Sequence, residues 1–126
     1  MKALTVREMR SLEEAAIADG WTEEALMDAA GERLALAISR TFPAPGTIIA
    51  YAGKGHNAGD AFVALRILRD RFHWKISIRA AFPAGQWASL TRLKFNELAA
   101  EPPLLSPPDW DLADRPLLLL DALVGI

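Results

Sequence analysis

Between Gly53 and Asp60 the chain reads Gly-Lys-Gly-His-Asn-Ala-Gly-Asp, so an imidazole, an amide and a carboxylate alternate with three glycines. An apolar, β-branched run from Thr47 to Tyr51 precedes it, and an apolar helical pattern from Ala61 to Arg71 follows. Strand-to-helix turns of this kind hold ligands in α/β nucleotide-binding units, because glycines admit close backbone approach and helix-start N–H groups favour anions. Asn57 and Asp60 add an amide and a carboxylate at that rim, which suits a phosphate-like group, a hydroxyl or a cation. A further carboxylate, Asp121, ends the four-leucine run Leu117 to Leu120, and Gly125 follows it. Ligands of open α/β sheets bind outside the carboxyl ends of the strands. Asp121 and the glycine stretch are therefore expected to converge, although more than 60 residues separate them.

The glycine pattern alone is not specific. Gly53, Gly55 and Ala58 satisfy G-x-G-x-x-G/A. A hydride-transferring Rossmann domain also carries an acidic residue about 20 positions on, at the end of the next strand, for the ribose. Here that strand, Lys75 to Arg79, leads into Ala80-Ala81-Phe82-Pro83, without a carboxylate. The ordinary dehydrogenase reading loses ground. Walker A fails as well, because Lys54 lies between the first two glycines and no Gly-Lys-Ser/Thr follows.

Helices and strands must position these groups. Thr5 or Ser11 can cap a first helix with the stripe Met9, Leu12, Ala16 and Ile17, ending at Gly20. Thr22 with Glu23 and Glu24 starts a second, with Leu26, Ala30, Leu34, Ala37 and Ile38 at helical spacing. Gly31 inside it fits close helix packing, with a contact to ligand or partner as the other reading. In the helix from Ala61, residues Arg66, Arg69 and Asp70 mark a solvent edge, and His73 and Trp74 form the turn into the second strand. A third helix is expected from about Trp87 to Ala99, packing through Trp87, Leu90, Leu93 and Leu98. The proline-rich, acidic stretch 101–114 reads as a surface connection. The uniform run Leu117 to Leu120 suits a central parallel strand covered on both faces.

With 126 residues, 52% of them hydrophobic, one domain with a core is expected and a second has no room. A net charge of -2 with scattered basic residues gives no footprint for nucleic acid or an anionic membrane. No apolar run approaches membrane-spanning length, and cysteine is absent. Both fit a cytoplasmic placement. Ile126 falls directly after the Asp121 motif, so a domain incomplete at its C-terminus is expected.

The motifs resemble the NAD(P)H-hydrate epimerases, the YjeF N-terminal domain family. That family's Gly-x-Gly-Asn-Asn-Gly-Gly-Asp-Gly stands here as Gly53-Lys54-Gly55-His56-Asn57-Ala58-Gly59-Asp60-Ala61. Its Asp-Ala-Leu-x-Gly stands as Asp121-Ala122-Leu123-Val124-Gly125, and its Leu-Met-x-x-Ala-Gly as Leu26 to Gly31. The resemblance covers essentially the whole chain, 1–126, as one domain. It implies a Rossmann-like three-layer α/β/α fold with a mainly parallel sheet and two N-terminal helices. It implies an isomerase that interconverts the R and S hydrates of NADH and NADPH, so that an ADP- or ATP-dependent dehydratase, fused or separate, can restore the cofactor. Position by position, His56, Asn57, Ala58, Gly59, Asp60 and Gly125 would bind the hydrate. Asn57 and Asp121 would hold a potassium ion, Asp121 also standing as the catalytic candidate. A homodimer is compatible with this reading. His56 departs from an asparagine, and Ala58 and Ala61 from glycines where a methyl could crowd ligand or backbone. The principal alternative is a non-catalytic nucleotide- or protein-binding scaffold on the same fold, and a third is an unrelated nucleotide-binding enzyme that shares the loop.

Overall fold

The β-branched run after Gly46 forms the middle strand of the sheet. The computed structural model describes residues 6–100 and 114–123. In chain order they form α1 (Val6–Ala18), α2 (Glu23–Thr41), β1 (Thr47–Ala52), α3 (His56–Phe72), β2 (Lys75–Ala80), a 3-10 turn (Ala84–Gln86), α4 (Ser89–Ala99) and β3 (Leu117–Ala122). The sheet has the order β2-β1-β3, with both pairings parallel. Register sets Ile48 beside Ile76 and Leu118, and Ala50 beside Ile78 and Leu120. Open parallel order with helical connections is the expected Rossmann-like α/β architecture, and the two N-terminal helices precede it.

One face of this sheet is sealed by α3, whose Ala58, Phe62, Leu65 and Leu68 share a core with Ile48, Ala50, Ala52 and Ile76. Alternate residues of a strand face opposite ways, and Ile49 and Ser77 on the other face are also buried, so β1 is covered on both sides. The four-leucine strand does not take that central place. Among the described residues β3 pairs only with β1, and Leu119 is 60% exposed. A run of leucines reports apolar surroundings but does not specify rank within a sheet.

Thr22 caps α2 by accepting the Ala25 N–H at 3.0 Å, and Glu23 and Glu24 complement the helix start. Met27, Gly31 and Ala35 turn inward. A Cβ at Gly31 would run into the Val63 side chain and stand 2.9 Å from the Asp60 carbonyl oxygen. Close packing of α2 on α3 thus accounts for this mid-helix glycine. In α1 the expected stripe stays exposed at Leu12 and Ile17, because no described element packs extensively against it. Ser11 lies inside α1 and not at its start, while Thr5 lies outside the described residues.

The third expected helix begins two residues later than Trp87, at Ser89, because Trp87 closes the preceding 3-10 turn. Its indole N–H donates to the Phe82 carbonyl at 2.9 Å, and its ring meets Phe62 and Phe95 with centroids 5.7 and 5.2 Å away. Phe95 takes the packing role expected of Leu93, which is exposed. Arg69 is not at the solvent edge: its guanidinium donates to the Leu98 carbonyl at 2.8 Å and ties α3 to the end of α4. His73 and Trp74 do form the turn, His73 in the left-handed region at φ 62° and Trp74 buried. The stretch 101–113 lies outside the described residues.

Lys94 of α4 is almost fully buried, with its ammonium 2.8 Å from Glu24, 2.9 Å from Asp28 and 3.4 Å from Glu97. Burial works to lower its pKa, but the hydrogen bonds of Glu24 and Asp28 and the charges of Asp28 and Glu97 outweigh that and raise it above the ordinary lysine range. These pairs line a groove of about 490 Å³ between α2, α3 and α4. Among the described residues no helix is long and apolar enough to cross a membrane.

Two outcomes follow from this packing. Gly31→Ala is expected to lower stability by about 1–3 kcal/mol in urea unfolding, since the neighbouring atoms are backbone and a β-branched side chain. Lys94, protonated more firmly when folded, contributes stability that is fully present below the free lysine pKa of about 10.4 and is lost as pH rises beyond it. Lys94→Met should therefore flatten the alkaline decline of stability in unfolding curves taken from pH 8 upward.

Candidate functional site

The residues expected to bind ligand do not form a long loop. Helix α3 begins at His56, with Gly55 as its extended N-cap, so His56 to Asp60 are its first turn and the loop proper is Gly53 to Gly55. Polar residues in a first turn look like loop in a sequence, yet they suit a helix start whose N–H groups lack intrahelical partners. Gly55 is held from above, its carbonyl accepting the Thr91 hydroxyl at 2.9 Å. Thr91 is fully buried in α4. It positions the loop, and a threonine within an apolar helical pattern was the only sequence signal of it.

The loop meets the end of β3. Gly53 N–H donates to the Ala122 carbonyl at 2.9 Å, and a Cβ at Gly53 would collide with the Leu123 carbonyl. Only glycine permits this approach. The convergence of the glycine stretch with Asp121 is thereby realised at adjacent parallel strand ends. Asp121 is exposed, and its Oδ1 accepts the Leu123 N–H at 3.0 Å. Tyr51 stands between Asp121 and Arg79 in register, so a phenol, a carboxylate and a guanidinium share one row of the carboxyl rim. On the other side, Lys54 sits 4.8 Å from the centre of the Phe82 ring, and its carbonyl accepts the Ala88 N–H at 2.9 Å.

The individual candidates differ in exposure. His56 is exposed at the start of α3, and Asn57 and Asp60 are half-buried. Ala58 and Gly59 are buried, Ala58 within the hydrophobic core and Gly59 against Met27 of α2 and Thr91. The methyl of Ala58 faces the core, as Ala61 is also buried, so neither departure from glycine crowds the rim. Ala58 and Gly59 can serve a ligand through their backbone. Gly125 lies outside the described residues.

Among the described residues no group of three or more His, Cys, Asp or Glu side chains gathers for a metal. The oxygen donors on these two elements are the Asn57 amide in the first turn of α3, the Asp121 carboxylate and the carbonyls at the end of β3. All are hard oxygens, which fits a hard cation and not a thiolate- or imidazole-seeking metal.

A family model described as YjeF-related protein N-terminus matches residues 23–126. An NAD(P)H-hydrate epimerase of Rhodobacter capsulatus is 35% identical over 98% of this chain and 61% of its own length. One of Cenarchaeum symbiosum is 27% identical over 97% of this chain and 58% of its own. A bifunctional NAD(P)H-hydrate repair enzyme Nnr of Gloeobacter violaceus is 46% identical over 48% of this chain and 12% of its own. The chain thus spans about three-fifths of the length of the first two relatives. No solved structure matches it significantly.

Gly53→Ala should part the loop from β3. Hydrogen exchange is expected to show loss of protection at the residue 53 amide while the α3 core amides keep theirs; unchanged protection at residue 53 would contradict the close approach.

Proposed function

The chain belongs to the YjeF-related protein N-terminus family, and on that premise we propose that it interconverts the R and S hydrates of NADH and NADPH. The observation that carries the reading is the junction of Gly53 with the end of β3, which brings the start of α3 and Asp121 to one rim.

Inversion at a hydroxyl-bearing carbon requires a bond there to break and re-form from the opposite face, with a proton moving in each direction. A rim open to solvent on the Asp121 side permits this exchange. The N–H groups at the start of α3 favour the anionic parts of a dinucleotide. Asp60 and Asn57 offer an acceptor and an amide to ribose or nicotinamide substituents, and exposed His56 stands at their edge. Asp121, fixed by its hydrogen bond to Leu123, positions the hydrate and, with the N–H groups at the start of α3, stabilises charge that develops as the bond opens. Asn57 and Asp121 would hold potassium. That ion, when bound, supplies fixed positive charge beside the substrate.

The bifunctional relative supports pairing with a second repair activity, and an ADP- or ATP-dependent dehydratase, fused or separate, is the proposed partner. A cytoplasmic location and assembly as a homodimer belong to the same proposal.

The test is epimerisation of purified S and R NADPH hydrate by the natural full-length protein, followed chromatographically with and without potassium. The expected result is acceleration over the spontaneous rate that falls by about 10²-fold or more in Asp121→Ala, as for other lost electrostatic stabilisers. No acceleration by folded protein would overturn the epimerase reading in favour of a binding module.

A further inference from the structure

The carboxyl rim carries a positive charge for which the proposed inversion has no use. Arg79 is the penultimate residue of β2, exposed, and in register with Tyr51. Asp121 shares that row, but two strand spacings, about 10 Å, separate it from Arg79. Among the described residues the Arg79 guanidinium makes no ion pair or hydrogen bond. Other basic residues are engaged in ion pairs: Arg66 with Glu97, Arg71 with Glu32, Lys75 with Asp114, and Lys94 with Glu24, Asp28 and Glu97.

A second cation belongs to the same rim. Lys54 lies over Phe82 of the segment that leaves β2, and Ala81 N–H donates to the Ala52 carbonyl at 2.9 Å. The exits of β1 and β2 are thus tied together, each with a basic residue. In Rossmann-like sites the end of the second strand reads the adenosine ribose: a carboxylate there binds the 2′-hydroxyl, and an arginine accommodates a 2′-phosphate. This chain follows Arg79 with Ala80-Ala81-Phe82-Pro83, so no carboxylate stands there to repel a phosphate.

Resting on the epimerase reading, we infer that Arg79, assisted by Lys54, binds the 2′-phosphate of the adenosine ribose and makes NADPH hydrate the preferred substrate over NADH hydrate. A phosphomonoester near neutral pH is close to a dianion, and a guanidinium can engage two of its oxygens at once. Pyrophosphate is common to both hydrates. A cation that met only pyrophosphate would create no preference between them.

The experiment uses the natural full-length protein and two readouts. In turnover, kcat/KM for NADPH hydrate should exceed that for NADH hydrate, and the ratio should fall about tenfold in Arg79→Ala and partly return in Arg79→Lys. In calorimetric titration, adenosine 2′,5′-bisphosphate should bind about tenfold more tightly than adenosine 5′-monophosphate, a difference that Arg79→Ala removes. Acceleration of both hydrates with equal kcat/KM, or an equal loss for both in Arg79→Ala, would overturn the 2′-phosphate assignment and leave the epimerase reading standing. Acceleration of neither would overturn that reading, and the titration then decides the phosphate site alone: no difference between the two nucleotides overturns it.

Discussion

The absence of a side chain at Gly53 is the constraint on which the site depends. The backbone leaving β1 passes so close to the carbonyls of Ala122 and Leu123 that a single methyl would force them apart. Through that contact the start of α3 and the end of β3 share one rim, although they lie far apart in sequence. A parallel sheet aligns the carboxyl ends of its strands on one edge. The glycine sets how near they come, while Thr91 fixes the other wall by holding the Gly55 carbonyl.

Below the rim the packing is dense. Ala58, Phe62, Leu65 and Leu68 of α3 fill the space over β1, and the Phe62–Trp87–Phe95 cluster joins α4 to them. Small residues do the same work between helices, Gly31 admitting Val63 and Gly59 admitting Met27. The start of α3 is therefore anchored on its inner side, while His56 is exposed and Asn57 and Asp60 are half-buried. Substitution of family glycines by Ala58 and Ala61 fits this division, because both methyls are spent on the core.

Much of this was legible in the residues. Thr47 to Arg71 announces a strand, a glycine turn and a helix, and Asp121 after four leucines announces a second strand end on the same edge. What escaped the sequence depended on partners distant along the chain. Lys94 carries no mark of burial in the sequence, because Glu24 and Asp28, which neutralise it, lie in another helix 70 and 66 positions away. Arg69 looked exposed because its acceptor is the Leu98 carbonyl, and backbone acceptors leave no mark on a sequence. The polar first turn of α3 resembles loop in the sequence, since helix periodicity becomes visible only where apolar residues recur. Strand order was hidden for a similar reason: Leu117 to Leu120 declares apolar neighbours, not which strands supply them.

The most direct measurement of the central claim, that the glycine loop and the Asp121 turn form one binding site, is amide chemical-shift mapping of the full-length protein titrated with NADPH hydrate. The account predicts coupled, saturable shifts at Gly53 to Asp60 and at Asp121 to Leu123 with a common dissociation constant. Shifts confined to the groove between α2 and α4, or to one of the two segments alone, would contradict it.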